Sequence, residues 1–351
     1  MQPNILLMAK LVALAFIVSG QLGLLSRHFV PFVGFGFVRH VGSPSAFHYT
    51  LEAIFLIAAA ALFLNQYVRV ASITLGLVVI VGIVSSMFYY ENNREYCALI
   101  LVLAGLENPR GAPWLLRWQI VLLYFAAGLN KLLLADWRDG HFFNAWMEYL
   151  HHSAWVKVSK VIPGRVLGAL LSWAAIITEF GLATAFALRR HIPVVIWIGI
   201  AYHTTLVLVM NRTFGMFWVA APASYLAYVT WPTRQLQVRV GASDNIWSRL
   251  GRAVQRIDVD RTFRFEPGGQ GGLELVRGSV VHRGWSAMLW ILLLTPLTYF
   301  LIVVVAMVPQ PEPRVAAFIV LLILAAVAAS AVEARRSGGL AIRAVPGLSR
   351  S

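Results

Sequence analysis

Long apolar stretches separated by short polar loops dominate the first 230 positions. Runs of about 17–25 apolar residues are long enough to span a bilayer. The pattern predicts eight such spans before residue 232, at 5–25, 48–66, 70–90, 95–107, 113–134, 165–188, 192–210 and 213–231. The fourth is short and reads as tilted or half buried in protein. Residues 232–285 break the pattern: they are polar, arginine-rich and contain glycines, as a small extramembrane α/β segment would. Two further apolar runs, 286–308 and 314–334, are split by "PQPEP", and a basic tail follows from 335. The expected fold is an all-α polytopic membrane protein. It has a transmembrane bundle of about eight helices over 1–232, a small α/β cytoplasmic module over 233–285, two C-terminal transmembrane helices over 286–334, and a tail over 335–351.

Composition supports the membrane class. The chain has 351 residues, of which 59% are hydrophobic and 13% charged, whereas soluble domains are nearer a quarter charged. The net charge of +14 could point to nucleic acid. In a membrane protein the simpler reading is a basic cytoplasmic face that holds anionic lipid headgroups, with no nucleic-acid partner. Cys97 is the single cysteine, so an internal disulfide, a CxxC pair and a multi-thiolate zinc site are all excluded. The first 25 residues carry only Lys10 as an early charge and show no small-residue cleavage site, so they read as a retained first helix.

Loop lysines and arginines set the orientation. Arg69, Arg110, Arg189, Arg190, the 232–285 segment, Arg335 and Arg336 share one side if both termini are cytoplasmic. Arg27, Arg39, Arg138, Lys157 and Lys160 fall on the other side. The bias favours an inner-membrane, multi-pass protein with both termini inside.

Polar residues within apolar helices are expensive, and they face the bundle interior or a cavity. Three stand out: Lys131, Glu179 and His203. The loop "ENNREY" at 91–96 lies on the same outer side. At 100° per residue, Tyr124 and Ala127 share the face of Lys131, with Gly128 beside it. A desolvated amine in such a pocket can take a proton; a lysine at this position can equally snorkel to the interface. Glu179 needs a proton or a partner, with Lys131, His203 or a bundle arginine as candidates. His203 alone is most often a helix–helix hydrogen bonder. A metal site would need more ligands, and the clustered His151–His152 pair lies in an interfacial loop.

The segment "WQIVLLYFAAGLNKLLLADWRDG" resembles the HTTM family, bacterial transmembrane relatives of vitamin K-dependent gamma-carboxylase. The matching positions are Ala127, Gly128, Lys131, Asp136, Trp137 and Gly140. The likeness continues through Glu179 and is strongest at "YHTTLVLVMNRTFGMFWVAAPASYLAY", covering about 1–232. It implies that Lys131 is the base that deprotonates a quinol-like or lipidic substrate, with Asn93, Arg94, Tyr124, Glu179 and His203 as substrate-binding residues and a quinone or quinol as the ligand. Two departures argue against peptidyl-glutamate carboxylation. Arg94 stands where the carboxylase has histidine, and a permanent guanidinium cannot exchange protons as imidazole does. The large extramembrane substrate-binding domain is also missing. "RIDVDRTFRFEP" with "RGSVVHRGWSAMLWILLLTP" resembles the end of a DCC-type thioredoxin-like module. Its two motif cysteines would fall near Asp244 and Trp247, so this copy reads as degenerate and redox-dead. The alternatives are a non-catalytic lipid-binding or scaffold protein for the bundle, and a plain basic linker for the polar segment.

Overall fold

A computed structural model describes residues 1–22, 30–32, 36, 40, 43–108, 110–150, 153–210, 215–231, 235–241, 245–258, 261–268 and 272–296. The chain divides into two units, Met1–Trp231 and Pro232–Ser351.

The first unit is helical. It contains α1 (Pro3–Val18), α2 (Pro44–Phe63), α3 (Val68–Ser85), α4 (Asn92–Leu106), α5 (Trp114–Leu133), α6 (Ala135–Arg138), α7 (His141–Tyr149), α8 (Ser153–Val158), α9 (Gly164–Leu188), α10 (Ile192–Met210) and α11 (Gly215–Ser224). Starts and stops follow local chemistry. Ser43 accepts the Ala46 N–H and Pro44 sits in the first turn, so α2 begins there. Pro222 lies inside α11, and the chain tightens into a 3-10 turn at Tyr225–Tyr228. The buried Asn4 side chain donates to the carbonyls of Leu226 and Val229, both at 2.8 Å. These bonds tie α1 to that turn, where the Leu226 carbonyl also accepts the Val229 N–H at 3.2 Å.

The expected bundle of about ten transmembrane helices is not what forms. Among the described residues, three helices are long and apolar enough to cross a membrane: α2, α3 and α9. Several of the other apolar runs fall short for identifiable reasons. α1 and α4 stop at 16 and 15 residues. α5 has the length, at 20 residues, but Arg117, Gln119, Asn130 and Lys131 interrupt its apolar character. The run 213–231 is split between a 10-residue helix and the 3-10 turn. In the run 286–308, α13 (Trp285–Leu294) covers 10 residues. Residues 314–334 lie outside the described residues, as does the basic tail. The three spans leave much apolar surface uncovered: only 33% of the α2 window and 39% of the α9 window is buried within the protein. Ile57 of α2 and Ile177 of α9 point outward. A soluble chain would normally hide such a surface or leave it scattered in small patches.

The antiparallel pair α5 and α9 forms the centre of the site. Phe180 of α9 lies against Gly128 of α5, where an added Cβ would come within 3.2 Å of the ring. After α5 the chain turns through α6 and crosses α9 at Gly140. That residue has a φ of 79° and lies so close to α9 that a Cβ would sit 2.2 Å from Ala169 N and 2.2 Å from the Arg165 carbonyl oxygen. Only glycine fits there. Beside it, Asp139 accepts the His141 N–H at 2.9 Å and pairs with Arg165 at 2.8 Å. The backbone hydrogen bond first, and the arginine second, hold the Asp139 carboxyl below its ordinary range.

The second unit carries the α/β segment. β1 (Leu236–Val240), α12 (Ile246–Ile257) and β2 (Phe263–Pro267) form a parallel βαβ step; β3 (Leu273–Arg277) and β4 (Val280–Arg283) add antiparallel strands. The strand order is β2-β1-β3-β4. Asn245 caps α12 by accepting the Ser248 N–H at 2.9 Å. Asp258 turns the chain into β2 by accepting the N–H groups of Thr262 and Phe263, each at 2.9 Å. Trp247 meets Trp285 edge-on, with centroids 4.8 Å apart. Trp247 therefore packs structurally where a reactive cysteine was considered, and Asp244 lies outside the described residues. Among the described residues the chain is mostly helical with one small mixed sheet, not all-α.

Candidate functional site

A cavity of about 180 Å³ opens among α4, α5, α9 and α10. It holds five of the six residues singled out from the sequence: Asn93, Tyr124, Lys131, Glu179 and His203. Two of them come from one helical face in the expected way, since Tyr124 and Lys131 line it together with Ala127.

Lys131 does not snorkel away. Its Nζ donates to both oxygens of Glu179, at 2.7 and 2.8 Å. The two side chains are 16% and 6% exposed, so the pair is largely desolvated. Tyr202 completes it by donating its hydroxyl to Glu179 Oε1 at 2.8 Å. On the other side of the ammonium, Nζ stands 5.0 Å from the Trp137 ring centroid, within cation–π range. A carboxylate, a phenol and an aromatic face thus fix the amine in a wall of the cavity.

A second polar chain runs deeper. Tyr124 Oη and His203 Nε2 share a hydrogen bond of 2.8 Å, and the Tyr124 hydroxyl also bonds the Tyr225 hydroxyl. Phe186 stacks on both tyrosines, at centroid distances of 6.1 and 5.3 Å. Gly199 makes room for Tyr225: a Cβ there would lie 2.5 Å from its hydroxyl oxygen. In this apolar setting each hydroxyl must find a partner, because an unmatched buried donor costs about 1–3 kcal/mol.

Arg94 is not part of the cavity lining. Its Nε donates to Gln21 Oε1 at 2.6 Å, its Nη1 to the Tyr89 carbonyl, and it pairs with Glu91 at 3.0 Å. The guanidinium lies 4.5 Å from the Tyr89 ring. It is a buried brace at the start of α4 and stands apart from the other five residues expected at the site. Neighbouring Asn92 and Asn93 reach the cavity instead. Tyr202, Trp137, Asn92 and Tyr225 were missed as site residues. Tyr202 precedes His203, and its place on an apolar helix beside a polar residue was the available signal. His151 and His152 lie outside the described residues.

No family model, no curated protein and no solved structure matches the chain.

Proposed function

We propose that the chain is a membrane protein whose cavity takes a small, hydroxyl-bearing ring of the quinol class, with the Lys131–Glu179 pair handling its proton. The observation that carries this reading is the convergence of Asn93, Tyr124, Lys131, Glu179 and His203 on one cavity. The likeness of 118–140 and 202–228 to the HTTM family supports it. A lysine salt-bridged to a carboxylate holds a proton and is no base. Glu179, at 2.7–2.8 Å, is placed to take that proton first, after which the neutral amine accepts one from a bound hydroxyl and leaves an oxyanion beside the ammonium. Tyr124, His203 and Asn93 supply hydrogen bonds that orient the ring. On this reading the chain belongs to the inner membrane in multi-pass form, with the arginine-rich 232–285 segment cytoplasmic, and the degenerate DCC-like segment has no thiol chemistry.

The bidentate geometry favours one competing reading. Closed by Tyr202, the pair also fits a pin that fastens α5 to α9 in a non-catalytic lipid-binding or scaffold protein. Extraction of the purified protein followed by mass spectrometry, together with equilibrium binding of menadione, separates the two. The site reading expects a co-purifying quinone and menadione binding in the native protein, both lost in the stable double variant Lys131→Met with Glu179→Gln. Undiminished binding in that double variant, or none in the native protein, overturns it.

A further inference from the structure

At the other end of the α5–α9 pair, Arg117 and Arg189 line a second hollow of about 90 Å³ with Trp114, Trp118, Phe186 and Tyr228. We propose that this hollow binds a phosphate group, with the two guanidiniums as its ligands. Arg117 is half-buried and held in place: its Nε donates to the Ala227 carbonyl at 2.8 Å, and its guanidinium stands 5.4 Å from the Tyr228 ring centroid. Arg189 is 5.3 Å from the Trp114 ring centroid. Among the described residues neither arginine forms an ion pair. Glu107, the acid whose charge acts on Arg117, accepts the Leu116 N–H with its Oε1 at 3.1 Å.

Two guanidiniums facing one hollow repel each other, and the effect is stronger where protein displaces water. The Glu107 charge acts on Arg117, but among the described residues neither guanidinium is ion-paired, so the hollow keeps surplus positive charge that an anion from outside would offset. Arginine forks match phosphate oxygens in pairs. The backbone points the same way. Arg189 ends α9 with a φ of 54°, a left-handed conformation that glycine ordinarily supplies at helix ends. An arginine here bears a conformational cost and brings a charge into the hollow. Trp114 and Trp118 pack edge-on at 5.5 Å, a pairing suited to the headgroup level of a bilayer, where tryptophans concentrate. A phosphate there has two sources, an anionic lipid headgroup or free phosphate. Lys131 lies about 21 Å farther along α5 at 1.5 Å per residue, so this proposal does not depend on the quinol reading.

The test is equilibrium binding of phosphatidylglycerol and of phosphatidylcholine, each in mixed micelles, to the full-length protein, with inorganic phosphate as competitor. The native protein should prefer phosphatidylglycerol at least tenfold. Arg189→Gln, which alters an exposed side chain, should remove most of that preference, and Arg117→Gln with Arg189→Gln should abolish it. Arg190→Gln, next in sequence but outside the hollow, should leave it intact. Displacement by millimolar inorganic phosphate identifies free phosphate as the ligand; retained lipid binding under the same conditions identifies the lipid ester. Equal affinity for the two lipids in the native protein, or full preference in a folded Arg189→Gln protein, overturns the proposal.

Discussion

The Lys131 ammonium lies against both carboxylate oxygens of Glu179, at 2.7 and 2.8 Å, across the interface of α5 and α9. Removing one partner of a desolvated pair strands the other, at about 3–5 kcal/mol. Lys131→Met and Glu179→Gln should therefore each lower thermal stability substantially. The double variant should regain most of it, because Met and Gln leave no net charge behind. Additive losses in the double variant would mean that the pair contributes nothing through its mutual contact.

Tyr124 connects His203 to Tyr225. Tyr124→Phe keeps the ring stacked on Phe186 but deprives two buried groups of a partner, so it should cost about 1–3 kcal/mol. Tyr202→Phe removes one bond to a charged acceptor, and its loss should be about 1.5–3 kcal/mol. Chemical denaturation of the two variants provides the comparison. A Tyr124→Phe protein as stable as the native one would show that the hydroxyl chain carries no weight.

The cavity was legible because helical geometry is rigid. Once Lys131, Ala127 and Tyr124 were placed at 100° intervals, their shared face followed. Partner choice across helices was only narrowed: Glu179 had several candidate cations, and distance settled on Lys131. The number of membrane spans was misread because hydropathy sees apolar runs and not where helices stop. Pro222 lies within the run 213–231, and Arg117, Gln119, Asn130 and Lys131 fall within 113–134; neither set breaks the apolar run along the sequence. Arg94 falls outside the cavity lining because a resemblance fixes a position and not the direction of its side chain. The polar segment's α/β character was visible in its composition, whereas its strand order depends on pairings distant in sequence.

Trp247 and Trp285 pack edge-on in the second unit. The native protein should show no insulin reduction, since it lacks the thiol pair that such chemistry requires. Asp244→Cys with Trp247→Cys should lower the thermal midpoint of this unit through loss of the Trp247 ring. Reductase activity in the native protein would contradict the reading.

Reporter fusions at Gly241 and Ser351 should both read as cytoplasmic, since the arginine-rich 232–285 segment and the basic tail are the most positive stretches outside the apolar runs. Outer-side signals at both positions would reverse the orientation and move the Arg117–Arg189 hollow to the opposite leaflet.

Gly140 should tolerate no side chain. Its φ of 79° is left-handed, and its Cβ would meet backbone atoms of Arg165 and Ala169 at 2.2 Å, with Gly168 behind them at 2.7 Å. Backbone cannot rotate out of the way as a side-chain tip can, so α9 would have to move from the chain that crosses it. That shift would carry Asp139 away from Arg165 and loosen the turn that holds Trp137 beside Lys131. Gly140→Ala should therefore lower both folded yield and menadione binding, with a loss above the 4–5 kcal/mol or so that marks exceptional substitutions. Gly181→Ala is the control, because nothing lies within 4 Å of its Cβ position. It should fold and bind as the native protein does. Equal behaviour of the two variants would show that the crossing at Gly140 is not as close as described.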